Sequence, residues 1–236
     1  MKKTQLAFKR YEQKYLLSGE SFERFRREID PYIVPDEYFK STVCSVYYDT
    51  LDYMLIRNSI DAPLYKAKLR LRSYNVPKED GMAFVELKEK FMGLVYKRRV
   101  AMSARQAEDY VAGRCPAPLE DQMTREIDWF LQTNAVEPKV FLSSEREAYD
   151  AKENSELRIT FDRNIRWRDT ELSLCAGIHG KDLTPPGQVL MEIKMPESSP
   201  LWLARLLSEN GIFPTGFSKY GECYSKNLFN GVLDYV

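Results

Sequence analysis

The sequence is poor in the residues that build many metal centres and nucleophilic sites. It has one histidine, His179, and four cysteines, Cys44, Cys115, Cys175 and Cys223, with no C-x-x-C pair. A single histidine argues against a histidine-based metal cluster and against a Ser-His-Asp triad. The scattered cysteines predict reduced thiols in a cytoplasmic protein rather than a disulfide framework or a zinc site.

Long apolar runs and an excess of one charge are also missing. No stretch approaches the roughly 18 uncharged apolar residues of a membrane span, and the N-terminus lacks the apolar segment of a signal peptide. Lysine and arginine together number 35, as do aspartate and glutamate, so the formal net charge is zero. This balance disfavours a nucleic-acid partner, which calls for an excess of cations. Any charge signal must therefore come from how the charges are arranged.

What the sequence does contain is a row of cations at residues 65–74 (YKAKLRLRSY). Read as a β-strand, this stretch alternates between a charged and an apolar face. The charged face carries Lys66, Lys68, Arg70 and Arg72. Such a row repels itself unless water or an anion lies along it. A solvated face would explain a lone strand, so the interpretation depends on the other strands.

Alternation and turn residues predict further strands at residues 8–17, 43–49, 82–91, 94–102, 139–150, 155–162 and 189–195. Helical spacing predicts helices at residues 18–30, 103–112, 119–133, 199–209 and 217–230. The strands from 65 to 102, with a turn at Gly93, are expected to form an antiparallel meander. Tyr47 and Tyr48 are expected in the core rather than stacked on a nucleotide. No repeat or low-complexity linker appears, so we predict one domain over residues 1–236.

Charged residues also take alternate positions on five other predicted strands, opposite aliphatic or aromatic residues. The helices between the strands carry apolar stripes that need a partner surface. If the helices cover the apolar faces from outside, the charged faces point inward, and a sheet closed on itself satisfies both demands. We therefore predict an α+β fold with a closed antiparallel β-barrel and helices packed outside. A lumen of lysine and arginine suits phosphate oxygens, and a few carboxylates among them suit Mg²⁺ or Mn²⁺.

Nine short motifs extend this interpretation. In chain order they are Phe8-x-Arg10-x-Glu12-x-Lys14-Tyr15, Ser45-Val46-Tyr47-Tyr48-Asp49-Thr50, Lys68-x-Arg70-x-Arg72, Glu86-Leu87-Lys88, Lys97-Arg98-Arg99, Arg146-x-Ala148-Tyr149, Leu157-Arg158-Ile159-Thr160-Phe161-Asp162, Glu192-Ile193-Lys194 and Phe217-Ser218-Lys219-Tyr220. In this order the sequence resembles the VTC-type polyphosphate polymerase domain, a branch of the triphosphate tunnel metalloenzyme (CYTH-like) superfamily. Each motif alone is weak, whereas the ordered set covers almost the whole chain and is specific.

The resemblance implies an eight-stranded antiparallel tunnel that transfers the γ-phosphoryl group of ATP to a growing inorganic polyphosphate chain, with Mn²⁺ or Mg²⁺. The residues that it implies as catalytic are Lys14, Arg70, Arg72, Lys88, Lys97, Arg146, Arg158 and Lys219. It implies phosphate contacts from Lys68, Lys194 and Ser218. Glu192 would be the main metal ligand, with Glu12 and Glu86 in the metal shell. The chain is similar to stand-alone bacterial members, so a membrane-protein partner that receives the product would be a separate chain.

Three activities share these motifs. The first is the polyphosphate polymerase, the second is a hydrolase of ATP or inorganic triphosphate, and the third is a non-catalytic module that binds polyphosphate or nucleotide. Chain growth, release of free phosphate, and binding without turnover distinguish them.

Overall fold

The computed structural model describes residues 11–61, 64–92, 94–195 and 198–229. Three predicted features lie outside these residues: the start of the first strand at Phe8 and Arg10, the turn at Gly93, and the end of the last helix at Asn230. None of the described helices combines the length and apolar character needed to cross a bilayer.

The described chain forms nine strands and six α-helices. The strands are β1 (Tyr11–Leu17), β2 (Ile33–Asp49), β3 (Tyr65–Tyr74), β4 (Met82–Phe91), β5 (Leu94–Ser103), β6 (Glu137–Ala151), β7 (Arg158–Arg168), β8 (Lys181–Asp182) and β9 (Val189–Met195). The helices are α1 (Gly19–Ile29), α2 (Met54–Ile60), α3 (Ala104–Val111), α4 (Gln122–Thr133), α5 (Leu201–Glu209) and α6 (Lys219–Cys223), and a π-helical turn (Tyr224–Leu228) follows α6.

The strands form one large sheet. Its strand order is β1-β9-β7-β6-β2-β3-β4-β5, and β8 pairs with β7. The strand pairs β1–β9, β2–β3, β3–β4, β4–β5 and β7–β9 are all antiparallel. The α+β class with a large antiparallel sheet is therefore confirmed. The order has two ends, β1 and β5, so the described residues do not confirm the predicted closure into a barrel.

The chain divides into two compact units, each made of separate segments. Unit 1 takes the described residues of 1–41, 144–165 and 184–217, and unit 2 takes those of 42–143, 166–183 and 218–236. Because the segments of the two units alternate along the chain, this division does not test the single-domain prediction, which stays a prediction.

Unit 2 contains the predicted meander, and its strand bounds agree with the alternation in the sequence. Ala67, Leu69 and Leu71 of β3 are buried, and they pack with apolar residues of β4, α3 and α4 such as Ile127 and Phe130. Because the apolar half of each strand is buried under these helices, the charged half must lie on the opposite face. Unit 1 follows the same rule, since Phe22 and Phe25 of α1 pack in one core with Phe161, Ile193 and Leu203.

Several element bounds differ from the predictions for local reasons. β2 begins at Ile33, ten residues before the predicted start, and it passes through Pro35. α4 begins at Gln122 rather than 119, because Asp121 caps it in a reciprocal pair of hydrogen bonds with Thr124. The last helix is short, since α6 ends at Cys223 and the chain continues as a π-helical turn.

The cap of α3 gives a test of the local structure. The Ser103 hydroxyl accepts a hydrogen bond from the Gln106 backbone N–H at 3.2 Å, and the Gln106 side chain accepts one from the Ser103 N–H at 3.1 Å. Ser103→Ala removes the first bond, so we expect the free energy of unfolding to fall by about 1 kcal/mol in urea denaturation. Ser208→Ala, at an exposed serine near the end of α5, should change it by less than about 0.5 kcal/mol. Equal effects of the two substitutions would contradict a capping role.

Candidate functional site

Six neighbouring cations on one side of the β3–β4–β5 meander form a cluster. We call them the meander face: Lys68, Arg70, Arg72, Lys88, Lys97 and Arg99. The strand register brings them together, because residues directly opposite each other on neighbouring strands point to the same side. Lys68 lies opposite Lys88, which lies opposite Lys97. Five of the six are predicted site residues, and Arg99 is an addition that its parity with Lys97 already indicated.

Glu86 lies at the centre of the meander face. It is opposite Arg70 on one side and Arg99 on the other, and its side chain is only 1% exposed. Its carboxylate oxygens lie 2.7 Å from Arg70 Nη2, 2.8 Å from Lys97 Nζ, 2.7 Å from Arg99 Nε and 3.9 Å from Arg72 Nη1. The Arg99 contact is an ion pair without hydrogen-bond geometry.

The charge balance around Glu86 explains its pKa. Burial alone would raise the pKa of this carboxyl, but Arg70, Arg72 and Lys97 outweigh burial and hold the pKa well below its usual range. Burial lowers the pKa of Lys97, and the nearby Glu86 opposes that effect only in part. Four cations around one carboxylate leave an excess of positive charge among these five groups, and such an excess favours a polyanion.

The lysines of the meander face add to this potential. Like charges directly opposite one another destabilise a sheet, and Lys68, Lys88 and Lys97 occupy one such row. Lys97 pairs with Glu86, and the Lys68 ammonium donates to Ser218 Oγ at 3.1 Å. The outermost cation of the β3 row, Lys66, donates instead to the backbone carbonyl of Ser59 at 3.0 Å. The β3 row therefore divides in two. Lys66 at its end bonds to the backbone, whereas Lys68, Arg70 and Arg72 belong to the charged cluster.

Tyr47 of β2 is buried, as expected for a core residue, and its hydroxyl also belongs to this cluster. It lies opposite Arg70 in the β2–β3 register, and its hydroxyl accepts a hydrogen bond from Arg70 Nη1 at 2.8 Å. Its ring stacks on Tyr220 with centroids 4.7 Å apart. Burial raises the pKa of the Tyr47 hydroxyl, but Arg70, Arg72 and Lys68 outweigh burial and lower the pKa to about 7. The expectation for Tyr48 is confirmed, since it packs in the apolar core of unit 2.

Ser218 and Lys219 mark the start of α6. The Ser218 hydroxyl oxygen caps this helix by accepting from the Gly221 backbone N–H at 3.3 Å, and it also accepts from Lys68. A buried hydrogen bond holds α6 in place, because the Tyr220 hydroxyl donates to the Asp49 carboxylate at 2.9 Å. Asp49 also accepts from the backbone N–H groups of α2. The phosphate contacts of Ser218 and Lys219 stay predictions, and Asp49 is the residue that positions both.

Unit 1 has its own charged surface, with a different balance. We call it the mixed face: Glu12, Lys14, Arg158, Thr160, Glu192 and Lys194. In the strand register Lys14 and Thr160 lie on either side of Glu192, and Glu12 and Arg158 lie on either side of Lys194. Acids and bases therefore alternate between β1 and β9, whereas two bases, Lys194 and Arg158, lie opposite each other on β9 and β7. The presence of two carboxylates distinguishes this surface chemically from the meander face.

Glu192 is the most enclosed carboxylate of the mixed face, with a side chain 13% exposed. Its Oε1 lies 2.8 Å from Lys194 Nζ. Burial would raise the pKa of Glu192, but Lys194, Lys14 and Arg146 lower it to about 2. Beside it, the Thr160 hydroxyl is buried and has no hydrogen-bond partner among the described residues. Glu192 is therefore ionised at neutral pH and lies next to an oxygen that lacks a partner.

Two predicted phosphate-binding arginines of unit 1 have carboxylate partners. Arg146 makes a bidentate pair with Asp162, with both N–O distances at 2.6 Å. Arg158 pairs with Asp36. A bidentate pair fixes a guanidinium in orientation, so a phosphate would have to share or replace these carboxylates. Neither pairing was predicted from the sequence: Asp36 lies on the part of β2 that alternation did not predict, and Asp162 is distant in sequence from Arg146.

The comparisons with known proteins agree with this fold. A candidate adenylate cyclase from Bacillus halodurans is similar in structure, with a TM-score of 0.56 and 15% sequence identity over 88% of this chain and 92% of that one. A candidate adenylyl cyclase from Hippeastrum with a dominant triphosphatase activity gives a TM-score of 0.52 and 13% identity over 93% and 97%. At such identities these similarities bear on the fold alone. A search among curated proteins found no significant match.

The sequence also matches the family model of the VTC domain over residues 9–228. This match includes all the described elements of both units and every predicted site residue. The resemblance inferred from the ordered motifs is thereby confirmed. The chain belongs to the VTC domain family.

Proposed function

We propose that this protein is a metal-dependent polyphosphate polymerase that transfers the γ-phosphoryl group of ATP to a growing inorganic polyphosphate chain. The observation that carries the proposal is the meander face, where four of the six cations lie within 3.9 Å of one buried carboxylate, Glu86. Membership of the VTC domain family supports the same substrate class. The predicted tunnel, the cytoplasmic location and ATP as phosphoryl donor are parts of this proposal.

The residues of the meander face have distinct tasks in this proposal. Arg70 and Arg72 bind phosphate oxygens, and their guanidinium groups can each offer two parallel N–H donors. Lys68, Lys88 and Lys97 neutralise charge along the phosphate chain. Glu86 holds Arg70, Lys97 and Arg99 in place through its ion pairs. Phosphoryl transfer depends mainly on positioning and charge neutralisation, so a fixed array of cations suits it without a nucleophilic side chain.

The mixed face fits a divalent metal ion. Glu192 is ionised and nearly enclosed, and Glu12 is its diagonal neighbour across the β1–β9 ladder. The Thr160 hydroxyl is buried and has no hydrogen-bond partner within the described part of the chain. Mg²⁺ and Mn²⁺ prefer such oxygen ligands. No group of three His, Cys, Asp or Glu side chains gathers at one point in the described chain, so water and phosphate oxygens would complete the shell. A bound ion would neutralise phosphate oxygens.

Glu86 fits the metal shell poorly, although the sequence resemblance placed it there. Its two oxygens already lie within ion-pair distance of four cations. A dication at the same oxygens would meet those four positive charges at close range. We therefore propose Glu192 and Glu12 as the metal carboxylates and Glu86 as the residue that orders the cations.

Hydrolysis of a triphosphate is the second candidate function. The Hippeastrum protein, whose structure is similar, has a dominant triphosphatase activity. The same cations and metal ligands would bind the substrate, and water would replace the phosphate chain as the acceptor. A binding module without turnover is the third reading of the same residues.

Incubation of the purified protein with ATP and Mn²⁺ or Mg²⁺, with and without a short polyphosphate primer, tests these functions. We expect long polyphosphate on a gel, and its loss when a chelator removes the metal ion. Free phosphate without chain growth would select the triphosphatase. Binding of tripolyphosphate without any turnover, with either metal ion and with or without primer, would leave only the binding module.

A further inference from the structure

Tyr47 presents an acidic hydroxyl to the cations of the meander face. The residue is only 7% exposed, and its oxygen accepts the hydrogen bond from Arg70 Nη1 at 2.8 Å. Arg70 is shared between two partners, because its Nε also donates to Glu86 Oε2 at 2.8 Å. The ring of Tyr47 is fixed by stacking on Tyr220. The hydroxyl therefore has little freedom to move away from Arg70.

Three neighbouring elements carry relevant groups: β3 and α6, which act on or contact Tyr47, and β6, which lies beside its strand in the sheet. β3 contributes Arg70, Arg72 and Lys68, which all favour an ionised hydroxyl. α6 contributes Tyr220, whose own hydroxyl donates to Asp49.

The third element is β6, which neighbours β2 in the sheet. Its Lys139 ammonium donates to the Leu51 carbonyl and pairs with Glu137. Glu86 acts on Tyr47 through the guanidinium of Arg70, which bonds to both. The balance at Tyr47 is therefore set mainly by cations that are also the proposed phosphate ligands.

We propose that Tyr47 takes up a proton when a triphosphate binds to the meander face. Tyr47 is then a positioning residue for Arg70 whose own charge changes when the ligand binds. This inference rests on the proposed function, because it assigns the triphosphate to the same cations. In the free protein above pH 7, the Tyr47 oxygen would be an anionic partner of Arg70. When phosphate oxygens arrive, the two anions compete for one guanidinium, and a proton from solvent converts the phenolate to a phenol.

The size of the pH effect on triphosphate affinity follows from the linkage between proton binding at Tyr47 and ligand binding. Burial raises the pKa of Tyr47, the three cations lower it to about 7, and bound phosphate would raise it again. Above that pH, binding must then be accompanied by proton uptake. The affinity for triphosphate should therefore fall by up to about tenfold per pH unit as the pH rises through 7 and 8. Below pH 7 the hydroxyl is protonated in both states and contributes no pH dependence.

Calorimetric titration with tripolyphosphate, in buffers of different ionisation enthalpy at pH 6 and pH 8, tests the inference. We compare the wild type with Tyr47→Phe and with Tyr48→Phe, which removes the neighbouring hydroxyl from the apolar core. At pH 8 the wild type and Tyr48→Phe should take up close to one proton more per bound triphosphate than Tyr47→Phe. Protonation changes of the ligand itself are common to all three proteins and cancel. The Tyr47→Phe affinity should also depend less on pH.

A second measurement needs no variant. Tyrosinate absorbs in the near ultraviolet, so the wild type at pH 8 should lose tyrosinate absorbance when tripolyphosphate is added. Three results would each overturn the inference and leave a plain structural hydrogen bond. They are equal proton uptake in all three proteins, unchanged tyrosinate absorbance, and a loss of affinity in Tyr47→Phe that is the same at pH 6 and pH 8. If the wild type binds no tripolyphosphate, the proposed function fails as well.

Discussion

Replacing Glu86 with glutamine is expected to lower the free energy of unfolding by about 3–5 kcal/mol, the range for breaking a buried ion pair by removing one partner. The substitution keeps the size of the side chain but removes the charge that holds Arg70, Lys97 and Arg99 together. The remaining cations would then repel one another at short range. Urea denaturation at pH 7 measures the change.

The matched control for Glu86→Gln is Glu79→Gln. Glu79 pairs with Arg105 at the surface, where the two side chains are 72% and 71% exposed. An exposed pair contributes little, so this variant should lose less than about 1 kcal/mol. A loss at Glu86 no larger than the loss at Glu79 would show that the buried carboxylate does not order the cations.

Lowering the pH should reduce the difference in the free energy of unfolding between the wild type and Glu86→Gln. The pKa of Glu86 is lower in the folded protein than in the unfolded chain, where a glutamate titrates at about 4.3. Its contribution to stability is therefore fully present above that unfolded value and is lost as pH falls toward the folded value. The glutamine variant does not titrate at this position, so the two unfolding curves should approach each other below about pH 4.

Arg70→Gln is expected to weaken tripolyphosphate binding by about 30- to 1,000-fold, or roughly 2–4 kcal/mol. The reason is that Arg70 is proposed to bind phosphate directly, and that Glu86 and Tyr47 hold its guanidinium in place. Calorimetry at pH 6, where Tyr47 is protonated, measures the loss without the linked proton. The same variant should fail to extend polyphosphate at ATP concentrations that saturate the wild type.

Lys66→Gln is the control for a lost charge on the same face of the same strand. Because Lys66 donates to the Ser59 carbonyl at the end of the row, its removal should change affinity by less than about fivefold, the effect of one distant charge screened by salt. If Arg70→Gln binds tripolyphosphate as tightly as Lys66→Gln while remaining folded, the meander face is not the phosphate site.

The sequence was sufficient to predict which face of each strand is charged, but not which charges neutralise one another. The bounds of β3, β4 and β9 follow directly from alternation, because one half of each strand is buried by helices. Glu86 and Glu192 look alike in such a pattern, since both stand among lysines and arginines. Only the three-dimensional structure shows that four cations surround Glu86. It also shows that the hydroxyl beside Glu192, that of Thr160, has no hydrogen-bond partner among the described residues.

Tyr47 and Asp36 show the other limit of sequence reasoning. An aromatic residue in a β-rich run is usually a core residue, and nothing in residues 43–49 indicates that Arg70 lies opposite Tyr47. Asp36 lies in a stretch with prolines, where a strand is not expected. In both cases a partner distant in sequence decides the role of the residue, so local propensity could not reveal it.

The alternation of the two units along the chain has a consequence for synthesis. Once residue 103 has left the ribosome, all three strands of the meander are present, and their contacts are local. β1 is made first but pairs with β9, which begins at Val189. Contacts between residues so far apart in sequence close slowly. β1 must therefore wait until β9 has been synthesised, and cleavage of the chain at any one point between them would place two paired strands on different fragments.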